Sequence, residues 1–150
     1  MLDVFRTLNI SASGLTAQRA RLDVIASNIA NAESTRSDEG GPYRRKTVVF
    51  REVFESAVGE AHYRDNRLQT DSMRGVEIAE IEADNRPFRL VYDPSHPDAN
   101  EEGYVQMPNV NVLREMVDLI NAQRSYEANV TAMNATKSFI NAALQIGKGG

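Results

Sequence analysis

Residues 112–146 read VLREMVDLINAQRSYEANVTAMNATKSFINAALQI, and this stretch decides the fold. Apolar side chains recur every seven residues along it, a pattern that keeps one seam of a helix facing a partner helix. The seam comprises Val112, Leu119, Tyr126, Met133 and Ile140, completed by Met116, Val130 and Leu144. Asn111 is a suitable N-cap, and Gly147 is a natural stop. The pattern predicts one helix over 112–146, about 50 Å long.

The side of this helix away from the seam carries little charge. Between Ser125 and Gly147 the charged residues are Glu127 and Lys137, and small or amide side chains fill most of the rest. A freely solvated helix face favours Glu, Lys or Arg over Asn. We therefore expect this helix to be covered on more than one side.

The N-terminal segment repeats the pattern with Leu8, Leu15, Leu22 and Ile29, and Phe5, Ala12 and Ile25 widen the stripe. It predicts a helix from about Leu2 to Ala30. Gly14 is a weak point, because glycine within a helix costs roughly 1 kcal/mol relative to alanine, and we expect the helix to loosen before Leu15. The two stripes alone are compatible with an intramolecular helical hairpin or with a coiled-coil dimer.

The middle of the chain has a different character, with alternating and β-branched residues. Strands are predicted over 43–54, 75–83 and 88–92, with loops at 33–42, 57–74 and 93–107, and Gly40-Gly41-Pro42 is predicted to form a turn. The fold class is therefore α+β. We predict a discontinuous helical core domain formed by residues 1–32 and 108–150, and a small antiparallel β-rich middle domain formed by residues 33–107.

Composition excludes several functional classes. The chain has no cysteine, so disulfides and thiolate metal sites are excluded. A net charge of −4 disfavours general nucleic-acid binding. The N-terminal sequence lacks the basic and apolar regions of a cleavable signal peptide, and neither end is apolar enough to insert into a bilayer. The expectation is a protein of the cytoplasm, or one exported by a dedicated route that leaves its N-terminus intact.

Motifs for catalysis are few. Asp93 and His96 could supply two metal ligands, but they lie in a proline-rich turn, and metal sites usually need three or four. Glu80 and Glu82 would share one strand face, which is more typical of solvated carboxylates than of an acid–base pair. The basic run 44–46 suits either an acidic ligand or a protected strand edge. We expect no catalytic residue, no metal and no cofactor.

Three stretches are more specific than their periodicity. They are LNISASGLTAQRARLDVIASNIANAEST (8–35), GPYRRKTVVF (41–50) and GYVQMPNVNVLREMVDLINAQRSYEANVTAMNATKSFINAALQIG (103–147). Together they resemble the bacterial flagellar basal-body rod proteins, most closely those of the proximal rod. The residues 32–35, Ala-Glu-Ser-Thr, depart from the family, whose members often show a further Asn and a Thr pair there.

This resemblance implies a structural subunit of the rod, located in the flagellar basal body and spanning the periplasm. The terminal helices would pair as an inner domain lining the export channel, and the middle would form an outer domain. Partners would be other rod proteins and copies of itself, with the flagellar type III export apparatus during secretion. The alternative function is a soluble homo-oligomeric adaptor whose helices form a closed coiled coil. A third hypothesis is an enzyme that cleaves cell-wall glycan through Glu80 and Glu82.

The predicted assembly interface draws on both helices. It comprises Leu8, Leu15, Leu22, Ile25, Ile29 and Asn31 from the first, and Val112, Met116, Leu119, Tyr126, Asn129, Val130, Met133, Asn134, Ile140, Asn141 and Leu144 from the second.

Overall fold

The computed structural model describes residues 2–37, 40–54 and 73–148. In chain order its elements are α1 (Leu2–Ala30), β1 (Lys46–Phe54), β2 (Met73–Ala83), β3 (Arg89–Tyr92), β4 (Tyr104–Met107) and α2 (Val112–Lys148). The α+β class is thus confirmed. Apart from Met73 and Arg74, which belong to β2, the predicted loop 57–74 lies outside the described residues, as does the side chain of Phe5.

The helix α1 has the predicted bounds but does not loosen at Gly14. A Cβ atom at Gly14 would lie 3.2 Å from the side-chain amide of Asn129 in α2. Since only a hydrogen occupies that position, the two helices approach closely there. The expected weak point is therefore a close contact between helices, which offsets the poor helix propensity of glycine.

The start of α2 is as predicted, whereas its end is not. Asn111 caps the first turn, because its Oδ1 accepts a hydrogen bond from the backbone N–H of Arg114 at 3.1 Å. The expected stop at Gly147 is wrong, since the helix continues to Lys148. Gly147 is not among the glycines with positive φ, so it does not adopt the left-handed conformation that ends a helix at glycine.

The two helices pack as an antiparallel intramolecular pair. Gly14 of α1 meets Asn129 of α2, and Asn28 meets Glu115. Fourteen residues forward along α1 thus match fourteen residues backward along α2. The same register places Leu2 opposite position 141, so the last turns of α2, residues 142–148, extend past the beginning of α1 by roughly 10 Å.

The strands β1 and β2 form an antiparallel hairpin that lies along α1. At one end of this contact, the Val76 N–H donates to Oγ of Ser13 at 3.1 Å. At the other end, the Lys46 N–H donates to Oδ1 of Asn28 at 2.9 Å. The strand β1 begins at Lys46 rather than at Tyr43, because the Tyr43 N–H donates to the Ser34 carbonyl outside the ladder.

The strands β3 and β4 form a second, separate two-stranded sheet. The prediction of a loop over 93–107 is wrong for Tyr104–Met107, which pairs with β3 and buries Val105 to 1% exposure. Gly103, with φ of 81°, turns the chain into β4. The turn predicted at Gly40-Gly41 is confirmed by positive φ at both residues.

Substitution of Gly75 tests the contact between β2 and α1. A Cβ there would lie 2.0 Å from Oγ of Ser13, and the φ of 127° is unfavourable for any L side chain. We expect Gly75→Ala to lower the free energy of unfolding by about 1–3 kcal/mol, measured by urea denaturation followed by circular dichroism. Gly147→Ala is the control, since nothing lies within 4 Å of its Cβ position. Equal stability of the two variants would contradict this account of the contact.

Candidate assembly interface

A cluster of buried polar side chains joins α1, the start of β1 and α2. At its centre lies Asn28, whose side chain is completely buried. Its Nδ2 donates to Oε2 of Glu115 at 2.9 Å and to the Lys46 carbonyl at 2.8 Å. Its Oδ1 accepts from the Tyr43 hydroxyl at 3.0 Å and from the Lys46 N–H. All four hydrogen-bonding positions of the amide are therefore satisfied.

Glu115, like Asn28, is completely buried. Arg45 neutralises its negative charge. The Arg45 Nε donates to Oε1 of Glu115 at 2.6 Å. Its Nη atoms lie 3.8 Å from a carboxylate oxygen of Asp84 and 3.6 Å from one of Asp118. A buried carboxylate without such a partner is strongly unfavourable. We call Asn28, Tyr43, Arg45 and Glu115 the Asn28 cluster.

A second set of hydrogen bonds holds the segment that follows β2 beside the Asn28 cluster. Asn109 accepts from the Arg45 N–H at 2.8 Å and donates to the Asp84 carbonyl at 2.9 Å. Asp84 is hydrogen-bonded through both carboxylate oxygens to Arg86. These bonds to Arg86, helped by the nearby charge of Arg45, lower the pKa of Asp84 to about 2.

Sequence reasoning missed the Asn28 cluster. Arg45 was interpreted as part of a basic strand edge or of a site for an acidic ligand, and Glu115 was not among the predicted interface residues. Arg45 instead lies 14% exposed against three carboxylates. A signal was available, because Asn28, Arg45 and Glu115 come from the three stretches that carry the family resemblance. Their side chains meet although 87 residues separate Asn28 from Glu115.

Most residues of the predicted interface lie half-buried, with Ile25 at 4% exposure. Asn129 is one of them, since it packs against Gly14 of its own chain. The exposed members are Met116, Asn134, Asn141 and Leu144. The structure thus separates the predicted set into residues covered within the chain and residues accessible to a neighbour.

A second row of exposed residues runs along α2, and sequence reasoning missed it. Its members recur every three or four residues, as on one face of a helix. We call this row the outer stripe: Leu113, Val117, Ile120, Arg124, Ala128, Thr131, Ala135, Phe139, Ala142 and Ile146, all of them exposed. Leu113, Phe139 and Ile146 are 76%, 76% and 81% exposed. Rows of exposed apolar residues of this kind are typical of interaction sites.

The chemistry considered from the sequence takes ordinary structural roles. Glu80 and Glu82 are exposed on β2. Asp93 accepts hydrogen bonds from Ser95, and Nδ1 of His96 accepts from the Asp98 N–H. Within the described ranges, no three His, Cys, Asp or Glu residues group as metal ligands. His62 lies outside those ranges. Neither described helix contains an apolar stretch able to cross a membrane.

Comparison with known proteins decides the family. Residues 8–36 match the family model for flagella basal body rod proteins, and residues 101–146 match that for the C-terminal part of flagellar basal body rod FlgEFG proteins. The flagellar basal-body rod protein FlgC of Bacillus subtilis is 50% identical, over 98% of this chain and 100% of the relative. FlgC of Borreliella burgdorferi is 43% identical, over 99% of this chain and 100% of the relative. FlgC of Escherichia coli is 42% identical, over 99% of this chain and 98% of the relative.

The chain belongs to the flagellar basal-body rod protein family. It is a structural rod subunit and not an enzyme, as the resemblance implied. The glycan-cleaving hypothesis is therefore wrong. In this rod protein the Asn28 cluster holds the two terminal helices and the first strand together, and the outer stripe remains uncovered.

Truncating Glu115 tests the energetic role of the Asn28 cluster. We expect Glu115→Ala to lower the free energy of unfolding by about 3–5 kcal/mol, because Asn28 and Arg45 lose their buried partner. The double variant Arg45→Met, Glu115→Leu, which keeps the bonds of Asn28 to Tyr43 and Lys46, should recover part of that loss. The control Glu127→Ala alters an exposed carboxylate on the same helix. Urea denaturation measures all three, and a loss no larger than that of the control would contradict the role assigned.

The Asp84–Arg86 pair predicts a pH dependence. Since folding lowers the pKa of Asp84 from 3.8 to about 2, its contribution to stability is complete above pH 4 and is lost as the pH falls towards 2. Asp84→Asn should therefore be less stable than the parent at pH 6, and the difference should shrink between pH 4 and pH 2. Thermal unfolding across this range measures it. A difference that stays constant down to pH 2 would contradict the assignment.

Proposed function

We propose that this rod subunit assembles helically with other rod proteins and with copies of itself, through the surface of α2 that its own α1 leaves uncovered. The helical unit, residues 1–32 and 108–150, would lie innermost around an export channel, and residues 33–107 would face outward. The rod so formed would cross the periplasm as the drive shaft of the flagellum.

The observation that carries this proposal is the exposure of large apolar residues along α2. Leu113, Val117 and Ile120 expose more than half of their surface near its start, and Phe139 and Ile146 do so near its end. Scattered exposed apolar residues are normal, but a row of them along one helix face is not. Arg124 is the single charge in the outer stripe. Such a surface becomes stable when neighbouring subunits exclude water from it.

The arrangement of the helices favours this assembly over a closed coiled-coil oligomer. In a closed oligomer the heptad seams of several chains would face one another. Here α1 packs against α2 of the same chain. What remains for other chains is a face of α2 away from the seam. We propose that this face meets a different face of the next subunit, because such heterologous contacts generate open helical assemblies.

The interface residues then fall into two groups with different roles. The half-buried leucines of α1, together with Leu119, Tyr126 and Met133 of α2, would hold the helical pair together. The exposed members Met116, Asn134, Asn141 and Leu144, with the outer stripe, would contact neighbouring subunits.

Export through the flagellar type III apparatus, with no cleaved signal peptide, is part of the proposal. Its support is that the chain belongs to the flagellar basal-body rod protein family. We propose neither nucleic-acid binding nor direct insertion into the membrane.

The double substitution Asn134→Lys, Asn141→Lys tests the assembly surface. Both residues are exposed, so we expect the variant to fold with unchanged helicity by circular dichroism and to be exported. Each added ammonium would be buried against a neighbour without a partner, a cost of several kcal/mol. We therefore expect no complete rods by electron microscopy and no swimming in a strain that lacks the native copy.

The matched control is Glu80→Ala, Glu82→Ala, which alters two exposed residues of β2 and should leave rods and swimming intact. If the lysine variant swam normally, the face of α2 that carries Asn134 and Asn141 would be solvated in the flagellum. The proposed close packing around α2 would then be wrong.

A further inference from the structure

The apolar seams of α1 and α2 do not by themselves define one register. Leu8, Leu15, Leu22 and Ile29 repeat every seven residues, and so do the seam residues of α2 from Val112 to Ile140. If α2 slid by seven residues along α1, aliphatic side chains would again meet aliphatic or aromatic ones. Apolar burial, which is non-directional, discriminates poorly between such registers.

One row of facing positions does not repeat. In the observed register, positions 14 and 28 of α1 face 129 and 115 of α2, and position 21 between them falls opposite 122. Gly14 lies against the larger Asn129. Ala122 is completely buried, and the half-buried Arg21 is opposite it. Asn28 bonds to Glu115. The first two pairs each join a small residue with a larger one, and the third joins two residues that hydrogen-bond to each other.

We propose that the Asn28–Glu115 pair, completed by Arg45, selects this register against slips of seven residues. In a slip that brings position 122 opposite Asn28, the amide would meet the methyl group of Ala122. Glu115 would leave Asn28 and Arg45 and lose the groups that neutralise and hydrogen-bond its charge. Buried polar residues are best known for this role, in which one polar position fixes the register of paired helices.

Arg45 makes the selection stricter, because it belongs to neither helix. Arg45 directly precedes β1. The backbone N–H and carbonyl of the next residue, Lys46, are both hydrogen-bonded to the side chain of Asn28. The guanidinium therefore stays beside α1 when α2 slides, whereas the bond from the Arg45 N–H to Asn109, just before α2, would break. Only the residue of α2 opposite Asn28 can reach both the amide and the guanidinium, and in the observed register that residue is Glu115.

The register determines the surface offered to neighbours. Residues 142–148 of α2 extend beyond the start of α1 in the observed register. A slip of seven residues, about 10 Å, would remove that extension or double it. It would also move the outer stripe by the same distance relative to β1 and β2. Selection of one register thus gives every copy the same shape, and it can be tested in the isolated chain whether or not the proposed assembly is correct.

Engineered cysteine pairs report the register, since the chain has no cysteine of its own. Gly14→Cys would be combined with Asn129→Cys for the observed register, and with Ala122→Cys or Thr136→Cys for slips of seven residues in either direction. We expect oxidation of the dilute full-length chain to link only 14 with 129 when the Asn28 cluster is intact. Mass spectrometry of the proteolysed protein identifies the disulfide.

The apolar variant Asn28→Leu, Arg45→Met, Glu115→Leu removes the proposed selection. The proposal is supported if the slipped pairs, 14–122 and 14–136, account for at least one tenth of the disulfide formed in the apolar variant and for none of it in the parent. The matched control, Asn121→Leu, Arg124→Met, Glu127→Leu, changes the same residue types at exposed positions of α2, and should link only 14 with 129. If the apolar variant also links only 14 with 129, the β1–β2 hairpin or the contacts of Asn109 with Arg45 and Asp84 set the register, and the proposal is wrong.

A relocation variant decides the matter even if the apolar variant does not fold. Glu115→Ala combined with Ala122→Glu moves the carboxylate by one heptad, so the same polar contacts form only after a slip that brings position 136 opposite Gly14. We expect the dominant disulfide to change from 14–129 to 14–136. The relocation variant can carry only the 14–129 and 14–136 pairs, because position 122 is occupied by Glu. Retention of 14–129 in it, or loss of every engineered disulfide in both variants, would overturn the proposal.

Discussion

Asn28 and Glu115 have no solvent-exposed surface, so every hydrogen bond that they lose to water must be replaced inside the protein. Removing one charge from water costs several kcal/mol even after relaxation, and the hydrogen bonds from Arg45 and Asn28 offset that cost here. Each of the three residues comes from a different part of the chain. The positions of α1, the start of β1 and the first turn of α2 are therefore mutually dependent.

The apolar core around this cluster is small, which gives the polar contacts unusual weight. Within the described residues the buried hydrophobic side chains are few, and three of the seven are alanine: Ala17, Ile25, Ala32, Tyr43, Val105, Val110 and Ala122. Small residues let helices approach closely but remove little apolar area from water, and buried area is the main source of hydrophobic stabilisation. Much of the large apolar surface of α2 remains exposed in the single chain. This exposed apolar surface is the one that we propose neighbouring subunits cover.

The sequence predicted those elements whose signal is periodic and long. Both helices start where the pattern places them, because a heptad stripe of four or five members is hard to produce by chance. The strand β4 was missed because four residues after a glycine give too little alternation to separate a strand from a loop. The Asn28 cluster was missed for a different reason. Hydrogen bonds between residues 87 positions apart leave no periodic pattern. The family resemblance of the three stretches marks where the residues lie, but it does not specify which side chains meet.

Repeating and non-repeating contacts have different mechanical consequences for a structural rod subunit. Leucine seams give a helical pair most of its cohesion, but their energy is nearly the same after a slip of one heptad, so an axial load could shift one helix along the other. The contacts Gly14–Asn129 and Asn28–Glu115 change sharply with displacement, because close packing and hydrogen bonds depend strongly on distance. Two such contacts lie fourteen residues apart along α1, about 21 Å. They oppose both sliding and bending of the pair, which favours a stiff subunit whose exposed outer stripe keeps a fixed position relative to its strands.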